Sequence, residues 1–273
     1  MIEFPNAKIN LGLFITEKRA DGFHNIETIF YPIHRLCDIL EVLPLKNNDT
    51  PISFSQSGLQ VDGDASNNLC VKAFHLLKQH VKLPSVATHL HKQIPMGAGL
   101  GGGSADGAFT LKTLNELADK PLPFKKLSEI ALELGSDCPF FLSNQPCFGW
   151  GRGEELERLD LNIQGHFIAI VNPGIHINTG LAYKKTTPAP APFNLRNLEN
   201  IPIEKWKELV SNDFEKVVFT DFPEIEKVKS ELYSLGAVYS SMSGSGSTVF
   251  GIFKHRPNFS SKFEGMYTYI GEL

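Results

Sequence analysis

The stretch of this chain best suited to hold a ligand is Pro95-Met96-Gly97-Ala98-Gly99-Leu100-Gly101-Gly102-Gly103-Ser104-Ala105-Asp106. Five of the seven residues from 97 to 103 are glycine, which frees the backbone to approach another molecule and to adopt positive φ. Ala105, Ala108, Leu111, Leu114 and Ala118 then recur at helical spacing, so a helix is expected from about Ser104. Its unpaired N–H groups and positive dipole end would face whatever the loop holds, and a triphosphate suits that place. Gly97, Gly99 and Gly102 also spell the dinucleotide pattern GxGxxG. That reading requires a strand after the helix, ending in an acidic residue, whereas a second helical pattern at 124–135 follows here. No GxxxxGK[ST] occurs, which excludes a Walker A loop. A glycine turn without a ligand is the remaining alternative.

Two further places carry groups capable of chemistry. Lys8 and Asn10 share one face of an alternating segment, residues 7–15, whose other face is Ile9, Leu11, Leu13 and Ile15. Such a lysine is either a solvated edge charge or an inward cation. Asp137 lies in Gly135-Ser136-Asp137-Cys138-Pro139-Phe140-Phe141, where it is either a turn or cap residue or a carboxylate set against an apolar wall. Phosphoryl transfer to an alcohol needs alignment, charge neutralisation and a sink for the hydroxyl proton, and an aspartate with a lysine supplies the last two.

The elements that must position these groups follow from periodicity. Strands are expected at 7–15, 27–33, 38–45, 86–94 and 166–172, with Asp21-Gly22 as the pivot of a turn. Leu69, Ala73, Leu76 and Leu77 mark a helix at 66–81, and Leu127, Ile130, Ala131 and Leu134 another that Gly135 stops. The run 203–218 reads as one amphipathic helix with a solvated charged face, and 237–253 as strand, glycine loop, strand. Strands and helices that do not strictly alternate argue for an α+β protein. The length, 273 residues, fits two domains, placed at 1–155 and 156–273.

Composition narrows the class. A formal net charge of −4 gives no reason to expect nucleic acid or an anionic membrane as partner. The four cysteines, Cys37, Cys70, Cys138 and Cys147, include no CxxC pair, so free thiols in a reducing cytoplasm are expected. His89 and His91, or His34 and Cys37, lack the second pair that a zinc site needs. The first residues do not read as a secretory signal, and no run approaches the length of a membrane span.

The glycine stretch, together with Met242-Ser243-Gly244-Ser245-Gly246-Ser247-Thr248, resembles the GHMP kinases, the superfamily of galactokinase, homoserine kinase and mevalonate kinase. The ordered segments PNAKINL at 5–11, RADGFH at 19–24, GLGGGSADGA at 99–108, GSDCPFF at 135–141 and NPGIHINTG at 172–180 are similar to its branch that acts on a cytidine-diphosphate-linked methylerythritol. The resemblance implies an S5 domain 2-like N-terminal domain and a ferredoxin-like C-terminal one. It implies ATP with Mg²⁺, and phosphorylation of the 2-hydroxyl of that small molecule. Carried onto this chain, it makes Lys8 and Asp137 the catalytic pair. Pro95, Met96, Gly97, Ala98, Gly99, Leu100, Gly101, Gly102, Gly103, Ser104 and Ala105, with Lys92 and Asn68, would hold ATP, and Ser104 would be a Mg²⁺ ligand. Asn10, Phe23, His24, Thr179 and Tyr183 would form the cytidine diphosphate pocket, with two aromatics sandwiching the base and His24 reading its edge. Phe23 stands where the branch usually has tyrosine, Cys138 for valine, Ala105 for serine and Gly107 for alanine. A GHMP kinase for another alcohol, and a GHMP-like protein that only binds nucleotide, are the rival readings.

Overall fold

The computed structural model describes residues 1–46, 50–60, 64–259 and 262–273. They form two compact units that interleave along the chain: residues 1–7, 36–96 and 101–144 in one, residues 8–35, 97–100 and 145–273 in the other.

The first unit is built on a four-stranded sheet in the order Ile2–Glu3, Ile39–Leu45, Ser85–Lys92, Ile52–Gly58. The last pair is parallel, so the chain must cross over between those strands, and helix Leu69–Leu77 lies on that connection. Strand Ser85–Lys92 alternates strictly, with Val86, Thr88, Leu90 and Lys92 inward. Helices Gly102–Leu117, Phe124–Leu134 and Cys138–Ser143 complete the unit. The first of these starts at Gly102 rather than Ser104, because Gly101 takes the left-handed conformation and the helix begins directly after it. Gly107 has a packing reason that its helix propensity hides: a Cβ there would lie 2.9 Å from Leu69 Cβ, so it lets two helices close on each other. Gly135 does end its helix, but in extended backbone (φ 166°) rather than a left-handed cap.

The second unit holds two four-stranded sheets. One runs Asn6–Lys18 (from Lys8 on), His24–Cys37 (up to Arg35), Cys147–Trp150, Glu155–Arg158. The turn expected at Asp21-Gly22 is there, with Gly22 at φ 87°. The other sheet runs Tyr239–Met242, Val249–Phe253, Phe167–Asn172, Tyr267–Glu272, antiparallel throughout. Numbered along the chain from Phe167, that order is 2-3-1-4, the ferredoxin-like arrangement, with helix Pro223–Ser234 on the first crossover. Its core joins Leu13, Ile15, Val171, Phe214, Ile225 and Leu232.

The run read as one amphipathic helix at 203–218 is not continuous. It forms short helical turns at Ile203–Lys205 and Trp206–Leu209, breaks, and resumes as Phe214–Asp221. At the break Leu13 N–H donates to Ser211 O (3.0 Å), Asp213 N–H donates to Leu13 O (2.8 Å), and Ile15 N–H donates to Asp213 Oδ2 (2.8 Å). The backbone bonds of the strand outbid the helical period, which carries no information about a distant strand that lacks a partner.

Candidate active site

In the second unit, residues 97–100 form half of the glycine loop. Gly97 and Gly99 have φ of 64° and 80°, and between and beyond them Ala98 and Leu100 are buried. The loop thus sends alternate residues into the protein and keeps its glycines outward. Three of its carbonyls are taken: Ala98 O accepts from Thr248 N–H (3.3 Å), Gly99 O from Ser243 Oγ (2.8 Å) and Lys8 Nζ (3.1 Å), and Leu100 O from Lys8 N–H (2.9 Å). Among the described residues, the N–H groups of 97–100 donate to nothing. Only glycine fits at 99, where a Cβ would meet Ser243 O at 2.0 Å.

Lys8 is not a solvated edge charge. It is 3% exposed, donates to Asn10 Oδ1 (2.7 Å) and lies 5.5 Å from the centre of the Phe30 ring. Asn10 is oriented in turn, donating through Nδ2 to Thr28 Oγ1 (2.9 Å), which donates to Gly12 O (2.5 Å). Asn10 N–H donates to Ser243 Oγ (3.3 Å), which brings strand Asn6–Lys18 to the glycine-serine turn at 243–247.

That turn is shaped by residues that the sequence reading missed. Asn212, 2% exposed, donates through Nδ2 to both Met242 O and Gly244 O, each at 2.8 Å. Glu215 Oε1 accepts from Met242 N–H (2.8 Å) and Ser241 Oγ (3.1 Å), and Asn172 Nδ2 donates to Thr248 Oγ1 (2.9 Å). The available signal was the polar Ser211-Asn212-Asp213 before an apolar run, a helix-start signature: Asn212 Oδ1 accepts the Phe214 N–H at 3.0 Å.

The proposed base-binding residues are placed differently from a two-aromatic sandwich. His24 stacks directly on Tyr183, ring centres 4.9 Å apart and 16° from parallel, so no third ring lies between them. Phe23 is 54% exposed, with the Arg152 guanidinium 5.1 Å from its ring centre. Burial, aided by the charge of Lys18, holds the His24 imidazole below its ordinary pKa, so it is neutral at pH 7. Thr179 is exposed and shares a hydrogen bond with Ser245 Oγ at 2.8 Å.

In the first unit, Gly101 (φ 71°) precedes the helix, and Ala105 N–H donates to Gly101 O (2.9 Å). The N–H groups of Gly102, Gly103 and Ser104 find no acceptor among the described residues, as a helix start dictates. Pro95 is half-buried, Met96 exposed and Ala105 fully buried. Ser104 hydrogen-bonds the Cys138 thiol, whose pKa burial raises to about 12, with Ser104 opposing and the Asp137 charge adding to the rise. Asp137 is half-buried at the start of helix Cys138–Ser143, and its side chain does not cap that helix.

Two residues assigned to ATP have other work. Asn68 caps helix Leu69–Leu77, its Oδ1 accepting from Cys70 N–H at 2.9 Å. The Lys92 ammonium has no exposed surface and is shared between two carboxylates, donating to Asp38 Oδ2 and to Asp106 Oδ2 (2.8 Å). Burial works against this charge, but Asp106 and Asp38 together outweigh it and hold the Lys92 pKa above its ordinary value. The parity of strand Ser85–Lys92 turns this side chain into the core with Leu90.

Comparison with known proteins agrees with this geometry. Residues 68–150 match the family described as GHMP kinases N terminal domain, and residues 194–265 match GHMP kinases C terminal. A 4-diphosphocytidyl-2-C-methyl-D-erythritol kinase of Bacteroides fragilis is 47% identical over 274 residues, covering 100% of both chains. One of Cytophaga hutchinsonii is 44% identical over 258 residues, covering 94% of each. A crystal structure of 4-(cytidine 5'-diphospho)-2C-methyl-D-erythritol kinase matches with a TM-score of 0.80 at 31% identity, over 92% of this chain and 90% of that one. The mevalonate kinase of Methanococcus jannaschii, at 13% identity and a TM-score of 0.70, shares the fold. The α+β expectation, with a ferredoxin-like C-terminal part, thus holds.

Proposed function

The chain belongs to the GHMP kinases, and on that premise we propose that it transfers the γ-phosphoryl group of ATP to the 2-hydroxyl of 4-diphosphocytidyl-2-C-methyl-D-erythritol, a step of non-mevalonate isoprenoid precursor synthesis. The observation that carries the nucleotide part is the loop whose carbonyls at Ala98, Gly99 and Leu100 accept from the protein while the N–H groups of 97–100 donate to nothing among the described residues. Such a run of outward amides is an anion cradle, and it needs no net positive charge elsewhere. Residues 95–105 hold the phosphates in this reading.

Asp137 accepts the proton of the attacking 2-hydroxyl as the new O–P bond forms and ADP leaves. Lys8, fixed by Asn10 and Gly99 O, supplies a positioned positive charge to the phosphoryl oxygens. Phe23, neutral His24 and Tyr183 take the cytosine, with His24 reading its polar edge; Asn10 and Thr179 contact the rest of the substrate. Mg²⁺ would neutralise charge on the triphosphate. Among the described residues no cluster of three or more acidic, histidine or cysteine side chains fits a metal. The ion would therefore be held mainly by phosphates and water, as Mg²⁺ commonly is, with Ser104 as the protein ligand. We place the evolutionary domains at 1–155 and 156–273, and the two family matches fall on either side of that boundary. Cytoplasmic location belongs to the same proposal.

ADP release from Mg-ATP would be measured with the cytidylated alcohol beside homoserine and mevalonate. Turnover confined to the cytidylated alcohol is the expected result; turnover with homoserine or mevalonate instead would remove the cytosine site from the proposal. Asp137→Asn should lower kcat by about 10²–10⁴-fold with both KM values retained. Full activity in that variant would show that Asp137 is not the proton acceptor.

A further inference from the structure

Asp38 lies outside every motif that marks the family resemblance, between strands His24–Cys37 and Ile39–Leu45, and it is fully buried. Both of its oxygens are used. Oδ1 accepts from two consecutive backbone N–H groups, Gln93 (2.6 Å) and Ile94 (2.9 Å), the last residues before Pro95. Oδ2 accepts from Lys92 Nζ, which also donates to Asp106 Oδ2 in the opening turns of helix Gly102–Leu117. Gly102 itself presses on this group, since a Cβ there would lie 2.9 Å from Ile94 Cγ2 and 3.1 Å from Lys92 Nζ. The chain that leads into the glycine loop and the helix that leads out of it are therefore pinned to one buried point.

We propose that Asp38, acting through Lys92 and Asp106, is a positioning residue for nucleotide binding: it fixes the separation and direction of the two ends of the glycine loop without touching the nucleotide. The inference rests on the reading of residues 95–105 as the phosphate loop. Burial of three ionisable side chains is costly, and it pushes the Asp106 carboxyl well above its ordinary pKa; hydrophobic replacements of similar volume are often no less stable, so stability alone gives no reason for such a cluster. Geometry does. A carboxylate that holds two successive amides sets a backbone direction that apolar packing does not.

Asp106→Asn keeps the Lys92–Asp38 pair and the backbone clamp, so it will fold; it weakens only the tie to the helix. Asp38→Asn loses the charge-assisted bonds to Gln93 and Ile94. Mg-ATP titration and steady-state kinetics on both variants should give an ATP Kd and KM raised about threefold in Asp106→Asn and about tenfold in Asp38→Asn, the latter matching one charge-assisted hydrogen bond. The KM for the alcohol and kcat should stay within about twofold of wild type. A merely structural role would instead lower the melting temperature and the active fraction, leaving both KM values alone. If wild type binds ATP and Asp106→Asn binds it equally well, the positioning role is overturned even should Asp38→Asn fail to fold. If wild type binds no ATP, it is the phosphate-loop reading that fails.

Discussion

Beneath the helix that begins at Gly102 the chain is tied by charge, one lysine between two aspartates with almost no exposed surface. Beneath the turn at 243–247 it is tied mostly by neutral amides, Asn212 to Met242 O and Gly244 O, and Asn172 to Thr248 Oγ1. Both arrangements fix the backbone of a glycine-rich segment. They differ in what happens when the central partner is lost. An amide network sheds hydrogen bonds one at a time, whereas the ion cluster that loses its lysine keeps buried carboxylates with no cation to balance them.

The contrast breaks most readily at Lys92. Lys92→Met should cost about 3–5 kcal/mol of stability, seen as a lower denaturant midpoint at unchanged slope. A loss below about 1 kcal/mol would mean that the two anchors are not different in kind. Asn212→Ala should cost about 1–3 kcal/mol in the same assay, from two unsatisfied carbonyls. Asn212→Asp sharpens the point, since it sets a carboxylate against Met242 O and Gly244 O and should be worse than alanine; an aspartate as stable as wild type would deny that the NH₂ group is the clamp. Gly107→Ala should come out slightly destabilising. Its gain in helix propensity, about 1 kcal/mol, is offset by overpacking against Leu69 of about 1–3 kcal/mol. A stabilised variant would show that the helices can part without cost.

The smallest expected effect concerns pH, and it falls on the second unit, where the amide clamp has nothing to titrate. The folded protein holds His24 below its ordinary pKa of 6.5, so its neutral form is favoured by folding. That contribution is fully present above pH 6.5 and is lost as pH falls through the lowered value. Melting temperatures at pH 7.5 and 5.5 should therefore drop slightly more for wild type than for His24→Gln. An identical drop would show that His24 is not held neutral.

Much of this was legible beforehand. Glycine content and the following helical stripe located the loop, and strand alternation set Lys8 and Asn10 on one face. Asp38 was hidden because its partners, Gln93 and Lys92, lie 55 and 54 residues away, and nothing local distinguishes a clamp from an exposed strand-end aspartate. The resemblance assigned Lys92 by position alone, and its inward turn was legible only in its parity with Val86 and Leu90, because a lysine is seldom fully buried. Asn212 was concealed inside an apparent helical period. His24 on Tyr183 depends on the path of the turn at 19–24, and ring orientation leaves no trace in residue order.

The bond from Asn10 to Ser243 spans 233 positions of sequence. A ribosome making this chain would release strand Asn6–Lys18 long before the residues that finish its hydrogen bonding exist. Until then Lys8 and the carbonyls of the glycine loop must be served by water or by temporary partners. The nascent protein would thus acquire its helices and hairpins early and the packing of its glycine loop near the end of synthesis. Truncated products would be sizeable and partly ordered, yet unable to hold the loop in shape.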